Sequence, residues 1–298
     1  MRPGSVTEDR STERTGGVAS AKGGQQLPRY SRPPVVEVAI AVQFDELPDF
    51  ELVHFGLLWE RFRNRYPLTE HHAPLPPVVE LFGSQGTQRA SLGIEFNLES
   101  KFPIGRCWYL REDGLRLLQV QPDRFIVNWR KLESQTDYPS YDVLRATFDE
   151  ELDVFLTFAR ENGLGEFQPT QCELTYINHL LADRGWASPT ELSNVLAPWS
   201  GRNSEPYLPA VEDIRFAWQY RFEERGSPLG RLYVQLQSGI RSTDRAPVLA
   251  VTLTARGAPS ETAVGGVLSS LDRMHEWIVR GFTAITTDQM HEIWERQK

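Results

Sequence analysis

Two features of the sequence predict an α+β fold in which helices cover one face of an antiparallel sheet. Short runs with apolar residues at alternate positions recur along the chain, and turn sequences such as Asp113-Gly114 and Pro122-Asp123 join them, which is typical of strands linked by hairpins. Two longer segments, 141–162 and 260–282, instead place their apolar residues at helical spacing. Short hairpin links favour antiparallel strands, and the long amphipathic helices then cover one face of the sheet.

The first half of the chain shows a strand, a helix, a group of strands and a second helix. Phe125, Val127 and Trp129 occupy alternate positions, which predicts a strand with one face turned to a core. Pro67 ends the first helix, and Asn162-Gly163 ends the second. The elements predicted here are a strand at 35–44, a helix at 49–66, a loop at 68–88 with a short strand at 78–82, a strand at 90–96, hairpin strands within 108–131 and a helix at 141–162.

The second half repeats this order. Ser188-Pro189-Thr190-Glu191 combines an N-cap residue, a proline suited to the first helical position and a glutamate placed for a capping box, so it predicts a short helix. Residues 248–255 are apolar on both faces, which favours a central strand. The elements predicted here are strands at 172–181, 214–222, 232–236 and 248–255, a helix at 260–282 and a last short helix capped by Thr286.

The repeated order predicts a structural duplication. We divide the chain into an N-terminal tail at 1–32, a first α+β half at 33–168 and a second at 169–298. The tail has almost no large apolar residue, so we expect it to be disordered. The two halves either fuse into one curved sheet or form two adjacent domains, and we favour the fused sheet.

Composition and charge disfavour several classes of protein. The net charge is −8, and residues 1–34 hold six Arg and Lys against three Asp and Glu, which leaves about −11 on the rest and disfavours nucleic-acid binding. Cys107 and Cys172 lie in apolar runs and are expected to be buried, reduced thiols. No apolar run approaches the ~18 residues of a membrane span, and the first residues lack the apolar stretch of a signal peptide. We therefore expect a soluble, cytoplasmic protein that does not enter a membrane.

Several separated motifs resemble those of one bacterial family. They are the segments 33–38 (PPVVEV), 123–131 (DRFIVNWRK), 138–141 (YPSY) and 172–178 (CELTYIN), followed by Phe282, Ile285, Met290 and Trp294. In this order, over roughly residues 33–295, they resemble the TIGR04255 family, whose members are distributed sporadically among bacteria. The resemblance implies no activity, substrate or catalytic residue. It does suggest a subunit of a bacterial defence or mobile-element system, by analogy alone.

The sequence lacks the familiar catalytic and metal-binding motifs. His291 has no second histidine at zincin spacing, and the adjacent His71 and His72 fall in a proline-bounded loop. Neither a glycine-rich phosphate loop nor a nucleophile elbow is present. The acidic residues Asp149, Glu150, Glu151 and Asp153 fit the solvated side of a helix. We therefore predict no metal and no cofactor, and we assign no catalytic residue.

The sheet face opposite the helices is the remaining candidate site. Such a face binds a ligand, a peptide or another subunit, or it is an ordinary hydrated surface. From it we select Glu173, His179, Arg215, Arg221 and Gln235 as ligand-binding residues, with His179 expected beside Glu173 and Arg221. The polar residues predicted for this face are Glu37, Gln43, Glu173, Thr175, His179, Arg215, Gln219, Arg221, Tyr233, Gln235 and Gln237.

Two functions follow from these observations. The first is a non-catalytic binding protein whose partner is a small molecule, another protein or a second copy of the chain. The second is an enzyme acting on a small or nucleotide-like substrate through the polar face. A strongly shifted pKa of Glu173 or His179 inside a concave pocket would favour the enzyme, whereas a flat, hydrated face would exclude it.

Overall fold

The computed structural model describes residues 26–82, 105–132, 137–182, 184–200, 207–224, 226–241 and 245–297. In chain order its elements are β1 (Val35–Phe44), α1 (Leu52–Phe62), β2 (Leu68–His72), β3 (Arg106–Leu110), β4 (Arg116–Gln121), β5 (Arg124–Arg130), α2 (Tyr141–Glu161), β6 (Pro169–Leu181), a 3-10 helix (Pro189–Asn194), β7 (Arg215–Glu224), β8 (Ser227–Ile240), β9 (Pro247–Gly257), α3 (Val264–Ile285) and α4 (Asp288–Ile293).

The nine strands form one antiparallel sheet in the order β2-β3-β4-β5-β1-β6-β9-β8-β7. At its centre β1 pairs with β6, so that Val38 lies opposite Tyr176 and Ile40 opposite Leu174. On either side of this pair, β5 continues the first half and β9 continues the second. The predicted α+β class is confirmed, and the strands of both halves belong to a single sheet.

Both halves arrange their strands in the same way around the central pair. Outward from the centre, the first half runs β1-β5-β4-β3 and the second runs β6-β9-β8-β7. In each, the opening strand is followed by three antiparallel strands in reverse chain order, and the first half adds the edge strand β2 beyond β3. A duplication would produce this common order, and duplication stays a prediction.

Alternation along the strands determines which side faces the helices. Phe44 of β1 and Phe125 of β5 point to the same side, and Phe155 of α2 packs on both, with ring centroids 5.7 and 5.3 Å apart. In the second half, α3 lies on β6 and β9 and buries Leu271 completely. The hydroxyl of Tyr109 on β3 donates to the Phe55 carbonyl of α1 at 2.8 Å. These three helices therefore cover one face of the sheet, as predicted, and the apolar core lies beneath them. None of the described helices is long and apolar enough to cross a membrane.

The acidic run in α2 departs from the prediction at one residue. Glu151 is only 4 % exposed, and it accepts hydrogen bonds from Arg65 Nε at 3.0 Å and from the Tyr66 hydroxyl at 3.1 Å. The prediction of a fully solvated acidic side is therefore wrong here, because the residues after α1 place a cation and a donor against this carboxylate. Burial, with the adjacent Glu151 charge, raises the pKa of Tyr66 and keeps its hydroxyl a donor.

Three local predictions need correction. Residues 68–72 form a short strand rather than a loop, so His71 and His72 lie on β2. Residues 78–82 are extended but belong to no strand of the sheet. Thr287, not Thr286, caps α4, because its side chain accepts a hydrogen bond from the Met290 backbone. The predicted strand at 90–96 lies outside the described residues.

The end of the predicted tail contacts the C-terminal residues. Ser31 and Arg32 donate backbone hydrogen bonds to the carbonyls of Glu295 and Trp294, each at 3.1 Å. The Tyr30 ring meets Trp294 edge-on at 6.0 Å. The packed part of the chain thus begins before residue 33, and residues 1–25 lie outside the described part.

The aromatic contact between α2 and the sheet gives a stability prediction. Phe155→Ala removes a fully buried ring and should lower the free energy of unfolding by about 3–5 kcal/mol, because the surrounding core cannot collapse into the space. Urea unfolding measures this change. Val143→Ala, on an exposed position of the same helix, should change it by less than about 0.5 kcal/mol. Equal losses in the two variants would contradict the packing described.

Candidate ligand-binding site

The predicted binding residues lie on the polar face but in separate rows. The strand register places residues of β6, β9, β8 and β7 directly opposite one another, and each such set across the four strands is a row. One row is Glu173, Arg256, Arg231 and Arg221, a second is Ile177, Thr252, Gln235 and Ala217, and a third is His179, Ala250, Gln237 and Arg215.

The expected cluster of His179 with Glu173 and Arg221 is therefore wrong. His179 and Glu173 share a face of β6 but stand six residues apart, which is about 20 Å along a strand. Arg215 and Arg221 are exposed on β7 and form ion pairs with Asp213 at 3.6 Å and Glu223 at 2.5 Å. One small molecule cannot contact all five predicted residues, so their role in binding stays a prediction for each row separately.

An extended segment, residues 75–82, crosses the polar face; we call it the strap. It runs from β4, where Leu75 meets Gln121, to β8, where Leu81 meets Arg231. The six residue steps from Leu75 to Leu81 span about 20–22 Å, close to the about 24 Å of the five strand spacings from β4 to β8. The strap therefore lies across the strands and closes one end of the polar face.

Three glutamines hold the backbone of the strap. The side-chain oxygens of Gln121, Gln43 and Gln171 accept hydrogen bonds from the backbone N–H groups of residues 75, 78 and 80, each at 3.0 Å. Arg124 donates to the Pro76 carbonyl at 3.0 Å. These contacts recognise main chain rather than side chains, and they explain why polar residues on four different strands are buried on this face.

Glu80 anchors the far end of the strap. Its carboxylate, only 4 % exposed, pairs with Arg231 at 2.5 Å and accepts a hydrogen bond from the Tyr233 hydroxyl at 2.7 Å. Arg256 lies 3.8 Å from the same carboxylate and also pairs with Glu173 at 2.5 Å. The row that contains the predicted residue Glu173 is therefore occupied by contacts within the chain.

We predict that Glu80→Gln weakens the fold. The substitution keeps the shape of the side chain but leaves the buried Arg231 guanidinium without its counter-charge, which should cost about 3 kcal/mol in the free energy of unfolding. Urea denaturation measures the loss. Glu70→Gln, on the exposed strand β2, is the matched control and should change stability by less than about 0.5 kcal/mol. Equal stability of the two variants would show that the strap is not anchored by this carboxylate.

A large cleft opens at the other end of the central strands. Its volume is about 1940 Å³. Its walls are formed by residues 27–34, the start of β1, the ends of β5 and β6, the segment 137–145 and parts of α3 and α4. Because the strap closes the opposite end of the same strands, the cleft is an accessible concave site on the central strands of the described chain.

A chain of hydrogen bonds runs along one wall of the cleft. The hydroxyls of Tyr138 and Tyr176 lie 2.8 Å apart, and the Tyr176 hydroxyl lies 3.1 Å from Nδ1 of His275. His275 stacks on Tyr141, with ring centroids 3.9 Å apart and planes 6° apart. The Tyr141 hydroxyl in turn donates to Asp272 at 2.9 Å, and Arg145 pairs with the same oxygen at 2.6 Å.

Burial keeps this wall uncharged, apart from the ion pair between Arg145 and Asp272. It lowers the pKa of His275 to about 4, although the carboxylates of Asp142, Asp272 and Glu276 act in the opposite direction. It also raises the pKa of Tyr138, Tyr141 and Tyr176. At neutral pH the wall therefore offers neutral hydroxyl groups and a neutral imidazole.

The charged residues around the cleft are mainly basic. Among the described residues, no carboxylate lies within ion-pair distance of Lys131 or Arg184. The seven basic residues of the lining are Arg29, Arg32, Arg130, Lys131, Arg145, Arg184 and Arg241, against four acidic ones, Glu37, Asp137, Asp142 and Asp272.

His179 is the one predicted site residue that lines the cleft. Burial lowers its pKa, and the charge of Arg241 acts in the same direction. Glu173, Arg215, Arg221 and Gln235 lie elsewhere on the sheet. The condition favouring catalysis was a strongly shifted pKa of Glu173 or His179 in a concave pocket; of these two residues only His179 lines the cleft, and its pKa is lowered.

Sequence reasoning did not select the aromatic wall of the cleft. Tyr138, Tyr141 and Tyr176 were noted only within the family motifs, and His275 was taken as an ordinary position of a helix. A useful signal was available in β6, where Tyr176 places a hydroxyl among the residues that face the core. The partners of that hydroxyl are 38 and 99 residues away, so only the fold brings them together.

The cysteines are buried, as predicted. Burial raises the pKa of Cys107 to about 11 and that of Cys172 to about 12, so both are protonated at neutral pH and are poor nucleophiles. Across the described ranges, no group of three or more His, Cys, Asp or Glu side chains is arranged to hold a metal ion.

Comparison of the chain with protein-family models, with curated proteins and with solved structures finds no match. The resemblance to the bacterial family stays a prediction, and the function must be argued from the geometry.

We predict that His275 makes the fold sensitive to acid. Its pKa is about 4 in the folded protein against 6.5 in the unfolded chain, so between these values the unfolded chain binds the additional proton. Stability should therefore fall as the pH decreases from about 6.5 to 4, by about 3 kcal/mol for this group. His275→Gln should lose less stability over that range in urea unfolding at pH 7 and pH 4.5. His71→Gln, on the exposed edge strand, is the control, and parallel profiles for wild type and His275→Gln would contradict the assignment.

Proposed function

We propose that the protein is a non-catalytic binding protein that holds an anionic ligand in the cleft. The observation that carries this proposal is the surplus of basic residues in the lining, seven against four, in a chain whose net charge is −8. A concentration of positive charge in a cleft, against the sign of the whole molecule, attracts anions. Lys131 and Arg184 are the cations best placed to bind the ligand, since neither pairs with a carboxylate of the described chain.

The motifs that resemble the bacterial family support the same location. Segments 33–38, 123–131, 138–141 and 172–178, together with Phe282, Met290 and Trp294, all contribute residues to the lining of the cleft. They are distant in the sequence and come from strands, a loop and two helices. Because all of these motifs meet at the cleft, a common role in binding a ligand accounts for them better than packing alone.

The wall of tyrosines fits a binding role. The Tyr138 hydroxyl stays protonated. When Nδ1–H of His275 donates to Tyr176 and Tyr176 donates to Tyr138, the hydrogen of Tyr138 is free to donate to an oxygen atom of an anion. The neutral His275 fixes the Tyr176 hydroxyl from behind. In this proposal, a few positively charged side chains bind the ligand together with neutral hydrogen-bond donors whose positions are fixed.

Native mass spectrometry of the protein purified under gentle conditions tests the proposal. We expect an additional mass of a few hundred daltons that is lost on denaturation. The double variant Lys131→Gln/Arg184→Gln should retain much less of it. Arg160→Gln, which removes one charge from the exposed side of α2, is the control and should retain the ligand as wild type does.

Thermal unfolding with added phosphate, pyrophosphate, citrate or ATP gives a second readout if the ligand is lost during purification. At least one of these anions should raise the midpoint of wild type and of Arg160→Gln, but not that of the double variant. No retained mass together with no shift by any of the four anions would contradict the proposal.

An enzyme is the second candidate, and one observation favours it. The neutral imidazole of His275, bonded to Tyr176 and stacked on Tyr141, is a proton acceptor in a concave site. An enzyme site made of Glu173, His179, Arg215 and Arg221 does not fit the sheet, because Glu173 and Arg221 lie in another row than His179, and Arg215 lies three strands away from it in the same row. A chemical change in the bound molecule that His275→Gln abolishes would favour the enzyme, whereas unchanged recovery of that molecule favours binding. The further alternative, a subunit of a bacterial defence or mobile-element system, rests on the family resemblance alone.

A further inference from the structure

The two edges of the sheet differ in how well they are protected. In the described part of the chain, β2 forms one edge and β7 the other. β2 has only five residues, three of which are Glu70, His71 and His72. A short edge strand with polar, charged side chains is a common protection against pairing with another chain. β7 has ten residues and contains neither proline nor lysine, and its pairing with β8 shifts register only near its end.

The residues of β7 leave aromatic side chains at this edge. Tyr220 is 41 % exposed, and Phe216 and Trp218 are partly exposed on the side of the sheet that carries the helices. The Trp218 indole donates to the Tyr220 hydroxyl at 2.9 Å, in an exposed pair. On the polar side, Arg215 and Arg221 lie near one end and the middle of the strand, and Glu223 lies near the other end. An edge with unpaired backbone groups and exposed aromatic residues is suited to strand addition.

We propose that β7 pairs antiparallel with β7 of a second copy of this chain, so that the two sheets become one. The arrangement has a two-fold axis through Gln219. It continues the polar face of one sheet into the polar face of the other, because opposed residues share a face. The charges along β7 favour a second copy of this chain as the partner.

The register centred on Gln219 places complementary residues opposite each other. Arg215 of each copy faces Glu223 of the other, and Trp218 faces Tyr220. Opposite charges and aromatic pairs at directly opposed positions both stabilise antiparallel strands. A centre at Trp218 would instead place Arg215 opposite Arg221 twice, which is repulsive. A centre at Tyr220 would leave Arg215 without an opposed charge.

Sedimentation velocity over a range of protein concentrations, on wild type and charge variants of the full chain, tests the proposal. Wild type should form a dimer. Arg215→Glu and Glu223→Arg should each raise the dimer dissociation constant about tenfold or more, because each creates two like-charge pairs. The double variant Arg215→Glu/Glu223→Arg restores opposite charges at the same positions and should recover the dimer.

Arg63→Glu makes the same charge change on the exposed side of α1 and should leave the dimer unchanged. Wild type that is monomeric at all concentrations would overturn the proposal. So would a dimer that Arg215→Glu does not weaken, or one lost in both single variants and not recovered in the double variant. These outcomes are separate from ligand retention in the cleft, because neither Arg215 nor Glu223 lines it.

Discussion

The pairing of β1 with β6 is the constraint on which the rest of the structure depends. Val38 and Ile40 of β1 lie opposite Tyr176 and Leu174 of β6, and all four side chains face the helices and are buried. A shift of one strand by one residue against the other would turn the apolar side chains of the shifted strand to the polar face, so burial of the core fixes the alignment of the two halves. Every contact between the two halves depends on that alignment.

The two ends of this central pair are used differently. At one end, Gln43 of β1 and Gln171 of β6 hold the backbone of the strap, and the polar face is satisfied by the chain itself. At the other end, the cleft opens beside the tyrosine wall, which includes Tyr176 of β6 itself, and its charged groups are mainly basic. One end of the central strands thus holds the protein's own strap, while the other end supplies the proposed ligand site. Binding and folding therefore depend on the same strands but on opposite ends of them.

Much of the architecture could be predicted from the sequence, whereas the candidate site could not. Alternation predicted β1 and β5, an apolar run on both faces predicted β9, and helical spacing predicted α2 within one residue at its end. The strap was not predicted, because its order comes from glutamines and arginines of six strands rather than from its own sequence pattern. For the same reason Glu151 was taken as solvated: its partners, Arg65 and Tyr66, are more than 80 residues away. The residues predicted to bind a ligand do share one face of the sheet, but alternation along β6 does not bring Glu173 and His179 together, because they lie six residues apart.

Native-state hydrogen exchange tests most directly whether the central pair unites the two halves. We expect the backbone amides of β1, β6, β5 and β9 to exchange most slowly and with the same free energy, because their opening requires the whole sheet to unfold. Denaturant should reduce the protection of both halves in parallel. If the strands of one half exchange far faster than those of the other, the halves unfold independently, and the pairing of β1 with β6 does not have the role given to it here.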